Sequence, residues 1–157
     1  MTVSRAETDH RVQAFVQTCR QRGMKVTHQR TEIFRELAAS AEHPDAETVY
    51  QTVCQRVPSI SRDTVYRTLA TLENEGLVRK VGPHFERTRY DANPDRHHHF
   101  ICTVCGVVRD FYSEDLDGLP IPQAVEAWGE IESAQVQVRG TCVLCANRKT
   151  KTRRRPG

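Results

Sequence analysis

Two Cys-x-x-Cys pairs, Cys102/Cys105 and Cys142/Cys145, set the first limit on how this chain can fold. Four thiolates in two such pairs can close a tetrahedron around zinc with no open position, which is a structural arrangement and not a catalytic one. Residues 106–141 lie between the pairs, so a whole segment of strand and helix has to be clamped with its two ends together. That spacer exceeds the usual zinc-ribbon range. A redox dithiol is the competing reading of a single pair; two pairs favour metal thiolates. Cys19 and Cys54 fall singly within helical patterns and read as small buried apolar residues.

Around the first pair the chain interleaves a second kind of ligand. From Tyr90 to Asp110 it carries Asp91, the run His97-His98-His99 and then Asp110. His97 and His99 are two apart in a strand-like stretch, so their side chains leave on one face and can converge on one ion, while His98 points away. Asp91 and Asp110 can add hard oxygen ligands nearby. Nitrogen with oxygen suits Fe(II), Mn(II), Zn(II) or Ni(II) and disfavours the Cu(I) that thiolates prefer. His43 is a lone loop histidine and reads on its own as a surface residue.

At 157 residues the chain can form two small domains, each with a core thin enough to need a staple such as a metal. Residues 1–90 carry 14 Lys+Arg against 11 Asp+Glu, residues 91–147 carry 3 against 9, and residues 148–157 carry 6 against none. A basic front suggests a polyanionic partner and an acidic back suggests cations. No apolar run approaches a membrane span and the N-terminus lacks signal-peptide regions, so the expectation is a cytoplasmic protein.

Apolar spacing predicts a helix over residues 9–22 closed by Gly23, and further helices capped by Thr27, Asp45 and Ser61. The last of these buries Val65, Leu69 and Leu72, ends at Gly76, and shows Arg62, Asp63, Tyr66, Arg67 and Thr71 on its other face. Strands are expected at residues 77–81 and 87–91, joined by Gly82-Pro83-His84-Phe85-Glu86. Short helices followed by a hairpin is the order of a winged helix-turn-helix, which favours DNA binding over an ordinary solvated face. Beyond a turn at residues 92–95, strands are expected at 98–103, 107–112 and 131–138, with a short helix within 121–129. The predicted class is α+β: residues 1–91 a winged helix, 92–147 a second domain, and 148–157 a solvated basic tail.

The motifs Gly23-Met-Lys-Val-Thr27-His-Gln-Arg30, His43-Pro44, Ser61-Arg-Asp-Thr-Val-Tyr66-Arg67-Thr-Leu69, Gly76-Leu77-Val78 and His97-His98-His99-Phe-Ile-Cys102-Thr-Val-Cys105-Gly106 occur in this order. In that order they resemble the ferric uptake regulator family of bacterial metal-dependent repressors, over nearly the whole chain. The resemblance implies an N-terminal winged helix, a C-terminal α/β dimerisation domain, a four-cysteine structural zinc, and a regulatory Fe(II) or Mn(II) held by His43, Asp91, His97, His99 and Asp110. It implies a homodimer on a palindromic double-stranded DNA operator, with Tyr66 and Arg67 touching bases, Lys25 entering the minor groove and Arg30 nearer the backbone.

Asp91, where iron-uptake regulators usually have glutamate, is similar to the peroxide-sensing branch. That branch implies a repressor released by Fe(II)-catalysed oxidation of a ligand imidazole, with His43 and His97 the matching targets. Arg96, His98 and Ala134 replace the residues of a second hard-ligand site found in iron-uptake regulators, which fits the same branch. Tyr66-Arg67 instead looks like the iron-uptake recognition helix, so an iron- or zinc-uptake repressor stays open. A metal-dependent hydrolase is the rival from another class, and it lacks an obvious nucleophile or oxyanion loop. A zinc-stabilised interaction module without a sensory role is the third reading.

Overall fold

The fold starts from its helix caps. In the computed structural model, which describes residues 3–82 and 88–153 and side chains through residue 148, helices α1 (Arg5–Gln21), α2 (His28–Ala39), α3 (Ala46–Arg56) and α4 (Arg62–Asn74) follow Ser4, Thr27, Asp45 and Ser61. Each cap accepts a hydrogen bond from a backbone N–H three residues on: Arg30 N to Thr27 Oγ1 at 3.2 Å, Thr48 N to Asp45 Oδ1 at 2.8 Å and Thr64 N to Ser61 Oγ at 3.1 Å. Gly23 and Gly76 stand at φ 69° and 67°, the left-handed positions that end α1 and α4. The first helix starts earlier than its apolar spacing implies because Ser4 caps it.

The chain divides into two compact units, Met1–Asn93 and Pro94–Gly157. In the first, Val12, Phe15 and Cys19 of α1 meet Ile33, Phe34 and Leu37 of α2, Val49 and Val53 of α3, and Val65, Leu69 and Leu72 of α4. The Phe15 and Phe34 rings stack at 4.0 Å. Leu69 is wholly buried, so Leu69→Ala is expected to cost the first unit about 2–5 kcal/mol, read as a shift in its denaturant midpoint. Strands β1 (Arg79–Val81) and β2 (Arg89–Asp91) pair antiparallel in the register Arg79↔Asp91, Lys80↔Tyr90, Val81↔Arg89. They are the arms of the expected wing. Its expected loop at residues 83–86, and Arg87, lie outside the described residues.

The second unit is built on a three-stranded sheet in the order β4-β3-β5, from β3 (His98–Cys102), β4 (Val108–Phe111) and β5 (Gln137–Gly140). β3 and β4 are antiparallel with His99 opposite Asp110, whereas β3 and β5 are parallel with Cys102 beside Gly140. Gly140 makes room for the Phe100 ring, since a Cβ there would come 3.3 Å from it, a tight contact. Short helices α5 (Glu114–Asp117) and α6 (Gln123–Glu126) precede β5, and α7 (Val143–Arg153) follows it.

Two expectations need correction. The third strand is not at residues 131–138: regular pairing covers Gln137–Gly140, after Val136 has accepted a hydrogen bond from His99 N at 3.1 Å. Residues 148–153 of the expected solvated tail are helical and continue α7. The helix starts beside the second cysteine pair, with Ala146 N donating to Cys142 O at 2.9 Å. Residues 154–157 of the expected tail lie outside the described residues. Among the described residues no helix is long and apolar enough to cross a membrane.

Candidate metal centres and nucleic-acid face

Cys102 ends β3, Cys105 follows in a turn closed by Gly106 at φ 70°, Cys142 precedes α7 and Cys145 lies in its first turn. Their sulfurs all lie within 4.8 Å of one another, and Cys105 Sγ is 3.8 Å from Cys142 Sγ. That separation is far beyond a disulfide, and it matches the edge of a tetrahedron with Zn–S bonds of about 2.3 Å. Cys102 Sγ accepts hydrogen bonds from Cys142 N at 3.3 Å and Val104 N at 3.4 Å. Backbone hydrogen bonds, that from Cys142 foremost, lower the Cys102 thiol to about 6, while its hydrogen bond with Cys142 and burial push Cys145 up to about 12. Thiols that share protons this way leave an anionic pocket for one soft or borderline cation.

The hard ligands form two sets. In the first unit His43 adopts φ 49°, a left-handed conformation uncommon for a residue with a side chain. It is over-determined by the wing: Arg89 Nη1 donates to His43 O at 3.1 Å, and Tyr90 N donates to Pro44 O at 3.1 Å. The bend brings His43 Nδ1 to 3.6 Å from Asp91 Oδ1, whose carboxylate also accepts from Asn93 N at 2.7 Å. Both residues are buried.

In the second unit His97 Nε2 and His99 Nε2 approach to 3.0 Å, and Asp110 Oδ1 lies 3.4 Å from each. His97 sits just before β3 and not within it, yet it converges with His99 as a two-residue spacing requires. The Asp95 carbonyl, 2.7 Å from His97 Nδ1, can only accept. That nitrogen therefore carries the proton, and the Nε2 lone pair is left for a ligand. Three donors of this type, two buried imidazoles and a partly exposed carboxylate converging on one point, fit a divalent first-row cation.

His98 turns to the other face, as strand alternation predicts. Its Nδ1 accepts from Val136 N at 3.2 Å, its ring lies 5.4 Å from that of Phe111, and its Nε2 is 3.4 Å from Asp117 Oδ1. Arg96 Nε is 3.0 Å from the same Asp117 oxygen. A guanidinium supplies the positive charge here, and Asp117 was not singled out from sequence.

On α4, Tyr66 is half exposed and Arg67 Nε pairs with Asp63 Oδ2 at 3.0 Å in solvent. Lys25 is exposed, and its carbonyl accepts from Arg30 Nη1, so Arg30 braces the strand-like entry to α2. Arg62, at the first position of α4, has its own partners on α3. Of the two remaining cysteines, Cys19 is fully buried as expected, while Cys54 is half-buried and directs its thiol to Gln51 O at 3.2 Å.

The model of the ferric uptake regulator family matches residues 21–139. The chain belongs to that family. It is 30% identical over 146 residues to the peroxide-responsive repressor PerR of Staphylococcus epidermidis, across 92% of this chain and 97% of that one. Its fold is similar to the Campylobacter jejuni peroxide stress regulator, with a TM-score of 0.63, 27% identity, and 83% and 98% of the two chains covered. It is likewise similar to the ferric uptake regulator of Francisella tularensis with iron, with a TM-score of 0.63, 26% identity, and 79% and 96% coverage. The family is one of metal-responsive transcription regulators, so the chain is a regulator with metal-ligating side chains.

Proposed function

We propose that this chain is a metal-dependent transcriptional repressor that binds a palindromic operator as a homodimer and senses peroxide by oxidation of a histidine ligand. The carrying observation is the pair of hard-ligand sets, buried His43 with Asp91, and buried His97 and His99 with Asp110. In this reading the two sets complete one five-ligand site for Fe(II) or Mn(II), and Cys102, Cys105, Cys142 and Cys145 hold a structural Zn(II). Ligands drawn from both units make occupancy favour the conformer in which the units are joined, by as much as the cation prefers it.

Bound Fe(II) supplies the reducing chemistry that activates peroxide, which Mn(II) at the same ligands does not. The protein contributes the targets: the imidazoles of His43 and His97, both buried, with the His43 backbone held by Arg89 and the His97 ring oriented by the Asp95 carbonyl. One oxygen atom from hydrogen peroxide replaces the hydrogen on a ring carbon as a hydroxyl, and water is the other product. The oxidised ring is a poor ligand, so the site empties and the operator is released.

Dimer formation is supported by the outer edge of β5, which has no strand partner among the described residues, and by Trp128, Ile131, Val138, Val143 and Leu144, all exposed apolar residues of the second unit. DNA binding is supported by the exposed α4 face carrying Tyr66 and Arg67.

The test is to load purified protein with Fe(II), add dilute peroxide, and follow promoter retardation alongside peptide mass spectrometry. A gain of one oxygen on the His43 or His97 peptide together with loss of DNA binding is expected, with the Mn(II) form unchanged. Intact histidines with binding retained would reassign the protein to an iron- or zinc-uptake repressor. Ester hydrolysis without promoter binding would establish the hydrolase reading.

A further inference from the structure

We propose that Arg62 is a base-reading residue for a guanine edge in the operator, and that Glu47 and Tyr50 on the neighbouring helix position it. The inference rests on the DNA-binding reading above and adds to it a residue pair that the resemblance does not supply. Arg62 is the first residue of α4, and the N-terminal residues of the second helix in this motif meet base edges in the major groove. Its guanidinium is held at two points: Nε donates to Glu47 Oε2 at 3.0 Å and Nη2 to Glu47 Oε1 at 2.8 Å. It also lies over the Tyr50 ring, 4.4 Å from the centroid.

The clamp consumes the Nε side of the fork and leaves Nη1 and the outer N–H of Nη2 pointing away from Glu47, with the Arg62 side chain 61% exposed. Two parallel N–H groups of this kind match the O6 and N7 acceptors of guanine. Glu47 also stays ionised, because the hydrogen bond from Arg62 holds its carboxyl below the usual range. The carboxylate cancels much of the charge Arg62 would offer to phosphate, while leaving its end free for a directional contact. By contrast Arg67 meets Asp63 through Nε at 3.0 Å, with both side chains more than 70% exposed. The clamp therefore favours sequence reading over non-specific attraction, and Glu47 is the positioning residue.

The experiment uses Mn(II)-loaded full-length protein and a duplex selected by the wild type from a random library, beside a scrambled duplex of equal length. Arg62→Ala is expected to weaken binding to the selected duplex about tenfold with little change on the scrambled one, and Arg62→Lys to behave like Arg62→Ala because an ammonium lacks the planar fork. Glu47→Gln is expected to tighten binding to scrambled DNA and steepen its salt dependence, lowering the selected-to-scrambled ratio. Thermal unfolding confirms that these surface variants are folded. Equal weakening of both duplexes by Arg62→Ala makes Arg62 a phosphate contact and overturns the proposal, as does an unchanged ratio in Glu47→Gln. A wild type that selects no sequence removes the DNA-binding reading itself.

Discussion

Cys142→Ser is expected to unfold the second unit while the helical first unit stays folded. Among the described residues, the buried apolar side chains beyond Asn93 are Ile101, Cys102, Val108 and Cys145, and two of those are ligands of the four-cysteine cluster. A sheet of three short strands with so thin a core does not sustain itself at this size. The cluster joins the end of β3 to the start of α7, and β5 is held against β3 in the parallel register that the same clamp closes. Structural zinc in small domains supplies an apparent folding free energy of about 10–16 kcal/mol at neutral pH, more than the sheet can replace. Amide hydrogen exchange reads the outcome: protection should vanish across β3, β4 and β5 and persist in α2 and α4. A strong chelator should reproduce the effect on the wild type, and dimers should dissociate in both cases. Cys54→Ser, half-buried in the first unit, is the control that should change neither. Retained protection in β3 would mean that the sheet, and not the thiolates, holds this unit together.

The parts of the molecule legible in the sequence are those whose cause is local. Thr27, Asp45 and Ser61 cap helices because a side-chain oxygen three residues before a free N–H needs nothing else. The convergence of His97 with His99, and the opposite course of His98, follow from backbone alternation although His97 lies one residue outside the strand. The parts missed depend on distant partners. Strand β5 is defined by its parallel neighbour and by Val136, so its weak alternation over residues 131–138 misplaced it. Helix α7 continues through a basic run that composition alone reads as an irregular tail, because the cysteine pair anchors the start of the helix. The pairing of Asp117 with Arg96 spans 21 residues and that of Glu47 with Arg62 spans 15, and no short-range pattern announces either. His43 is the instructive case, a residue that looks idle in its loop until the wing forces it to φ 49° beside Asp91.

His99→Ala is expected to abolish the Mn(II) response, and His98→Ala to spare it. His99 Nε2 is 3.0 Å from His97 Nε2 and 3.4 Å from Asp110 Oδ1, so it is one of three mutually adjacent donors in its unit. Removing it takes away one ligand and leaves only His97 and Asp110, 3.4 Å apart, as donors in this unit. Loss of an outer-shell partner alone costs metal sites about 10–100-fold in affinity, and loss of a ligand should exceed that. A repressor whose binding-competent conformer is selected by metal then loses operator affinity at fixed Mn(II), since a cation shifts the equilibrium only by its differential affinity. His98 is equally buried, but its partners are Val136 N, the Phe111 ring and Asp117, so its removal should lower stability without touching the donor set. Mn(II) titration by electron paramagnetic resonance measures the first effect and promoter retardation the second, with unchanged zinc content showing that the cysteine cluster is intact in both variants. The reverse result, Mn(II) affinity lost in His98→Ala and kept in His99→Ala, would place the regulatory cation on the opposite face of β3, where Arg96 already fills the position facing Asp117.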